Sequence, residues 1–133
     1  MNVGVLIITH NAIGASIFGT ANFMIKDCPS NVKLLSANRG SDPEELLESS
    51  VQLVKELDQG DGVLVLTDLF GSTPSNIAHR LHEYTNVKIV TGLNLSMLIR
   101  VFNYSNLSLD ELTEKAYSGG IDGITIDHGN GAA

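Results

Sequence analysis

Apolar positions along this chain alternate between two patterns. Four short words, VGVLIIT (3–9), VKLLSA (32–37), GVLVLT (62–67) and VKIVTG (87–92), are dense in Val, Ile and Leu. Two of them are nearly unbroken apolar runs, as expected of strands covered on both faces. Between them the spacing turns helical. Residues 13–25 place Ile13, Ile17, Ala21 and Met24 at steps of three and four. In 42–57, Leu46, Leu47, Val51, Val54 and Leu57 share one side, leaving Glu44, Glu45, Glu48 and Lys55 to water. Asp42 is the predicted N-cap of that helix, with Pro43 first inside it and Glu45 closing a capping box. Ser108 and Glu111 repeat the S-x-x-E spacing. Helices are predicted near 95–103 and 108–117, with the Ser-Gly-Gly at 118–120 ending the last one. IDGITI (121–126) reads as a short final strand, paired either with this sheet or with another subunit. The tail 127–133 is expected to be flexible.

Strand and helix in repeated alternation specify an α/β fold with a mainly parallel sheet. Right-handed crossovers make it doubly wound, with the expected strand order 2-1-3-4. No internal repeat, linker or low-complexity block divides residues 1–126, so one domain is expected there.

Composition narrows the class. A hydrophobic fraction of 43% over 133 residues is that of a globular chain with a core. No apolar run approaches the ~18–20 residues that span a bilayer. The N-terminus opens on a strand pattern with no basic leader or cleavage site, so a soluble cytoplasmic protein is expected. Cys28 stands alone, which excludes an intramolecular disulfide and leaves a free thiol or a packing residue. The net charge is −7, from 15 acidic and 8 basic residues without a basic cluster. Nucleic acid and anionic membrane are poor partners for such a surface, and a basic protein suits it better.

In open α/β sheets ligands sit beyond the carboxyl ends of the strands, where the strand order reverses. The first strand ends in Thr9-His10 and the third in TDLFGSTPSN (67–76). With order 2-1-3-4, His10 and Asp68 face each other there. Gly71 permits a left-handed turn. Thr73 is the predicted N-cap of the following helix, with Pro74 first inside it. The free N–H groups of such a helix start, with the Ser72 and Thr73 hydroxyls, make an anion site. Together these parts describe a phosphorylatable histidine: Asp68 fixes the ring tautomer, and the 71–73 turn holds phosphoryl oxygens. No P-loop lysine or magnesium-binding carboxylate cluster is present, so the donor must already be activated, such as another protein's phosphohistidine. No metal site and no cofactor are expected.

Taken singly, each feature has a plainer reading. A strand-end histidine is commonly a hydrogen-bonded structural residue, and 68–76 by itself is an ordinary strand–turn–helix connection. Only their conjunction favours chemistry. His79 and His82 are expected on the outer flank of their helix, since Ile77, Ala78 and Leu81 point inward, and His128 lies in the tail. None of these three is assigned a role.

The residues that carry this site also carry a resemblance. GVLIITH ending in His10, GVLVLTDLFGSTPSNIA with Asp68 to Asn76, and IVTGLNLSMLIR around Gly92 and Asn94 resemble the IIA component of the mannose family of the bacterial phosphoenolpyruvate:sugar phosphotransferase system. The resemblance runs over roughly residues 2 to 125. It implies a phosphotransferase component that accepts a phosphoryl group on His10 from the phosphocarrier HPr and passes it to a IIB component. It implies that Asp68 supports the histidine, that Thr73 lies near the phosphoryl site, and that members dimerise by exchanging the final strand. Contact with a membrane is then indirect, through a transporter. The chain departs from the family at Asn11, where glycine is usual after the histidine, at Ser72, where a second glycine is usual, and at Ser96, where proline is usual. Two alternatives stay open: a phosphoryl donor for a dihydroxyacetone kinase, and a non-catalytic module that binds a phosphorylated ligand.

Overall fold

In the computed structural model, which describes residues 1–129, the two unbroken apolar runs form β1 (Gly4–His10) and β3 (Val63–Thr67). Both are buried along their length, except for the half-buried His10 at the end of β1. The more polar words form β2 (Val32–Ala37) and β4 (Val87–Thr91), which expose Lys33, Leu34 and Lys88. The sheet is parallel throughout in the order β2-β1-β3-β4, as the alternation of patterns predicts. The continuous apolar runs are central because a central strand meets protein on both faces.

Five helices cover the sheet: α1 (Ile13–Met24), α2 (Pro43–Leu57), α3 (Thr73–Arg80), α4 (Leu95–Asn103) and α5 (Leu109–Asp122). A single 3-10 turn, Leu81–Glu83, follows α3. Side chains alternate across the sheet with period two. Val5, Ile7, Leu64 and Leu66 pack beneath α1, α4 and α5 with Ala21, Leu98, Val101, Leu112 and Ala116. Leu6, Ile8, Val63 and Val65 pack on the other face beneath α2 and α3 with Leu47, Val54, Leu57, Ile77 and Ala78. The chain moves outward from β1 to β2, then back past β1 to β3. That reversal sends α1 and α2 to opposite faces, the doubly wound arrangement.

Local signals hold in most places. Asp42 caps α2 by accepting from the Glu44 N–H at 3.1 Å. Ser108 and Glu111 form the reciprocal capping box of α5. Cys28 is partly buried against the core, and that burial pushes its thiol above its ordinary value, which favours the packing role over a reactive thiolate.

The end of α5 differs from the sequence expectation. The helix runs through Ser118-Gly119-Gly120 to Asp122 instead of stopping there. Both glycines are buried against α4. A Cβ on Gly119 would lie 2.6 Å from the Arg100 Cβ, and one on Gly120 would lie 2.8 Å from the Met97 Cε. They permit close helix approach and do not terminate the helix. The segment expected as a final strand therefore begins inside α5. Residues 124–126 have no strand partner among the described residues and are exposed. Of the tail expected to be flexible, residues 130–133 lie outside the described residues. Among the described residues no helix is long and apolar enough to cross a membrane.

Candidate functional site

Register brings the two central strand ends together. Ile8 stands opposite Thr67, and His10 opposite Ala37 of β2. Asp68, one residue past β3, therefore comes level with the end of β1. Its Oδ2 accepts from the His10 ring Nδ1 at 2.9 Å and from the His10 backbone N–H at 3.1 Å. The other carboxylate oxygen, Oδ1, is buried with no hydrogen-bond partner among the described residues. The side chains differ in exposure, 38% for His10 against 9% for Asp68. The carboxylate is thus the buried support and the imidazole the accessible group.

Burial alone would raise the Asp68 carboxyl. The hydrogen bonds from the His10 ring and backbone outweigh it and hold the carboxyl below its ordinary value. Asp68 is therefore an anion at neutral pH, and an anion only accepts. In the neutral ring Nδ1 then carries the proton, which leaves the lone pair on Nε2. A histidine held this way can act as a nucleophile through Nε2 without a further base.

The chain leaves β1 through Asn11, the only non-glycine with a positive φ (46°) among the described residues. Asparagine tolerates this left-handed conformation better than other side chains, which accounts for a residue other than glycine here. The Asn11 N–H donates to the Ala37 carbonyl at 3.1 Å. Two residues before Asn11, the Thr9 hydroxyl accepts from the Gly14 N–H at 2.8 Å and ties the start of α1 back to the strand.

The 71–73 turn corrects a detail. Gly71 has the expected positive φ of 81°. Ser72 is extended, with φ −93°, and stands at the N-cap of α3, so Thr73 is the first helical residue and Pro74 the second. The cap position is occupied without a capping bond, because the Ser72 hydroxyl donates backwards to the Leu69 carbonyl at 2.5 Å. Thr73 is left exposed and lines a cavity of about 330 Å³ together with His10 and Asn11. Gly71 and Ser72 shape the turn and do not line that cavity.

The opposite wall of the cavity is the β2–α2 loop, with Asn38, Arg39 and Ser41. The sequence reading passed over these residues as candidates. Their one signal in the sequence is place, just beyond the carboxyl end of the strand that neighbours β1, and nothing there singles out the Arg39 side chain. His79 and His82 lie elsewhere, with ring centroids 5.5 Å apart, beside a separate cavity of about 860 Å³ between α3 and the edge of β4. His128 is exposed.

Comparison with known proteins extends the picture. The sequence matches the EIIA-man family, described as PTS system fructose IIA component, over residues 4–117. It is 28% identical over 127 residues to the PTS system mannose-specific EIIAB component of Escherichia coli K12, a match covering 93% of this chain and 39% of that protein. The chain thus spans well under half the length of this curated relative. The fold is that of the mannose/sorbose specific IIA subunit of the phosphotransferase system from Enterococcus faecalis, with a TM-score of 0.84 at 22% identity over 96% of each chain. The PTS IIA protein associated with the fucose utilization operon from Streptococcus pneumoniae superposes with a TM-score of 0.74 at 29% identity, over 89% of this chain and 90% of that one.

Proposed function

The chain belongs to the EIIA-man family of PTS system fructose IIA components, and from that premise we propose that it is a phosphoryl carrier with His10 as acceptor. The observation that carries this reading is the His10 ring on the edge of a cavity, its Nδ1 held at 2.9 Å by a buried carboxylate. A hydrogen bond alone would suit a structural histidine too; the half-exposed ring facing the cavity beside Thr73 supports the nucleophile reading.

In the proposed step the Nε2 lone pair attacks the phosphorus of a donor phosphohistidine on HPr. A nitrogen–phosphorus bond forms at Nε2 as the donor's breaks, and that electron pair returns to the donor ring. No proton need leave His10. Its ring gains positive charge on phosphorylation, and the Asp68 carboxylate against Nδ1–H stabilises that charge. Thr73, at the first position of α3, offers a hydroxyl and a helix-start N–H to the phosphoryl oxygens. Gly71 and Ser72 hold the turn that presents it. The reverse step, onto a IIB component, releases the group toward sugar uptake or regulation.

The test is a reconstituted relay with phosphoenolpyruvate, the first phosphotransferase enzyme and HPr. Acid-labile phosphate is expected on His10 by mass-spectrometric mapping, and none on a His10→Ala variant. Phosphate persisting on that variant would overturn the assignment.

A further inference from the structure

We propose that Arg39 is part of the phosphoryl-holding machinery of this site, its guanidinium binding oxygens of the group carried on His10; this rests on the carrier reading above. The charges of the site motivate it. A phosphoryl group on Nε2 brings close to two negative charges into a cavity that already has the Asp68 carboxylate behind its histidine. The chain as a whole adds repulsion, with a net charge of −7. Helix-start N–H groups and a threonine hydroxyl offer only partial charges against this.

Among the described residues Arg39 is the one full cation lining the cavity shared by His10, Asn11 and Thr73, and no carboxylate lines it. Among the described residues Arg39 has no ion-pair partner, whereas Arg80 is held by Glu44 at 3.0 Å and Arg100 by Asp122 at 2.9 Å. Its backbone is nonetheless fixed. The Asn38 N–H donates to the Ser41 hydroxyl and the Ser41 N–H donates to the Asn38 carbonyl, each at 3.0 Å. Gly40 closes the turn with φ 85°. The loop therefore presents Arg39 at its apex from a pinned base, which limits the ordering cost of an engaged side chain. Guanidinium is also the side chain best matched to phosphoryl oxygens, through paired N–H donors in a fixed plane.

The experiment uses the full chain and two donors, phospho-HPr and the small molecule phosphoramidate, which has no protein surface to dock. Arg39→Ala is expected to slow His10 phosphorylation by both donors about 10- to 100-fold. Arg39→Lys should recover part of that rate, keeping the charge without the fork. Arg39 is exposed on a loop, and an unchanged urea midpoint will show that the variants remain folded. An Arg39→Ala chain matching the parent with phosphoramidate but needing more phospho-HPr would make Arg39 a docking residue and overturn the proposal. Equal rates with both donors would overturn it as well and leave the carrier reading standing. If the parent chain accepts no phosphate on His10 from either donor, it is the carrier reading that falls.

Discussion

Asp68 directs both of its observed hydrogen bonds to one residue, so its chemical and stabilising effects are separable by measurement. Its carboxyl lies below the ordinary value when folded, as the two His10 donors overcome burial. A group whose folded value is depressed stabilises the fold above its unfolded value, about pH 4, and loses that contribution as pH falls through the folded value. The stability difference between the parent and Asp68→Asn should therefore stay constant at neutral pH and shrink below about pH 4. Urea unfolding across a pH series measures this, and a difference that stays flat through the acid range would contradict it. The same variant should accept phosphate roughly 100-fold more slowly at neutral pH, because an amide no longer fixes the tautomer of His10. The contact between His10 and Asp68 was legible in sequence, as His10 ends one recognisable strand and Asp68 directly follows another. Arg39 was not, because a loop cation gains its meaning only from the cavity wall opposite.

At the scale of elements, β1, β3 and the sheet order followed from apolar runs, since burial on both faces leaves an unmistakable composition. The end of α5 did not follow. A Gly-Gly pair after a helical pattern signals a stop when only local conformation is weighed. Here a neighbouring helix decides, because α4 approaches where any Cβ would intrude. The Ser72 cap was missed for a related reason: Thr73 before Pro74 is an equally good local signal, and Gly71 sets the turn one residue earlier. The two glycines of α5 should respond differently to alanine. At Gly119 the obstacle is the Arg100 Cβ at 2.6 Å, next to backbone that cannot yield without moving the helix. At Gly120 the obstacle is the Met97 Cε at 2.8 Å, the far end of a flexible side chain. Gly119→Ala is expected to cost about 1–3 kcal/mol by overpacking. Gly120→Ala should come within about 1 kcal/mol of the parent, as the helix preference of alanine offsets a rotamer change. Urea midpoints of the two variants test the ranking, and equal losses would refute the packing account.

At the scale of the whole molecule the sheet has two edge strands, β2 and β4, each paired on one side only among the described residues. β4 pairs with β3 on one side and, among the described residues, with no strand on the other. Open edges are templates for further pairing, and proteins ordinarily cover them. Beside the β4 edge, where Ile121 and Ile124 line a cavity with Val90 and Thr91, α5 ends and the chain exposes Ile121 at 50%, Ile124 at 75% and Ile126 at 79%. Three isoleucines left in water in six residues make little sense for an isolated chain. A segment in this position finds no partner in its own sheet, which is why sequence patterning could recognise a strand-like word without assigning its neighbour. Family resemblance implies that the partner is a second copy, with the final segments exchanged. The intact chain is then expected to sediment as a dimer at micromolar concentration. Burying each isoleucine contributes about 2 kcal/mol. Ile124→Asp combined with Ile126→Asp should therefore weaken association at least about 100-fold, while phosphorylation of His10 by phosphoramidate persists. Analytical ultracentrifugation measures the association. A dimer unaffected by the double variant would place its interface elsewhere, and an intact chain that sediments as a monomer would leave the edge of β4 open to a different protein.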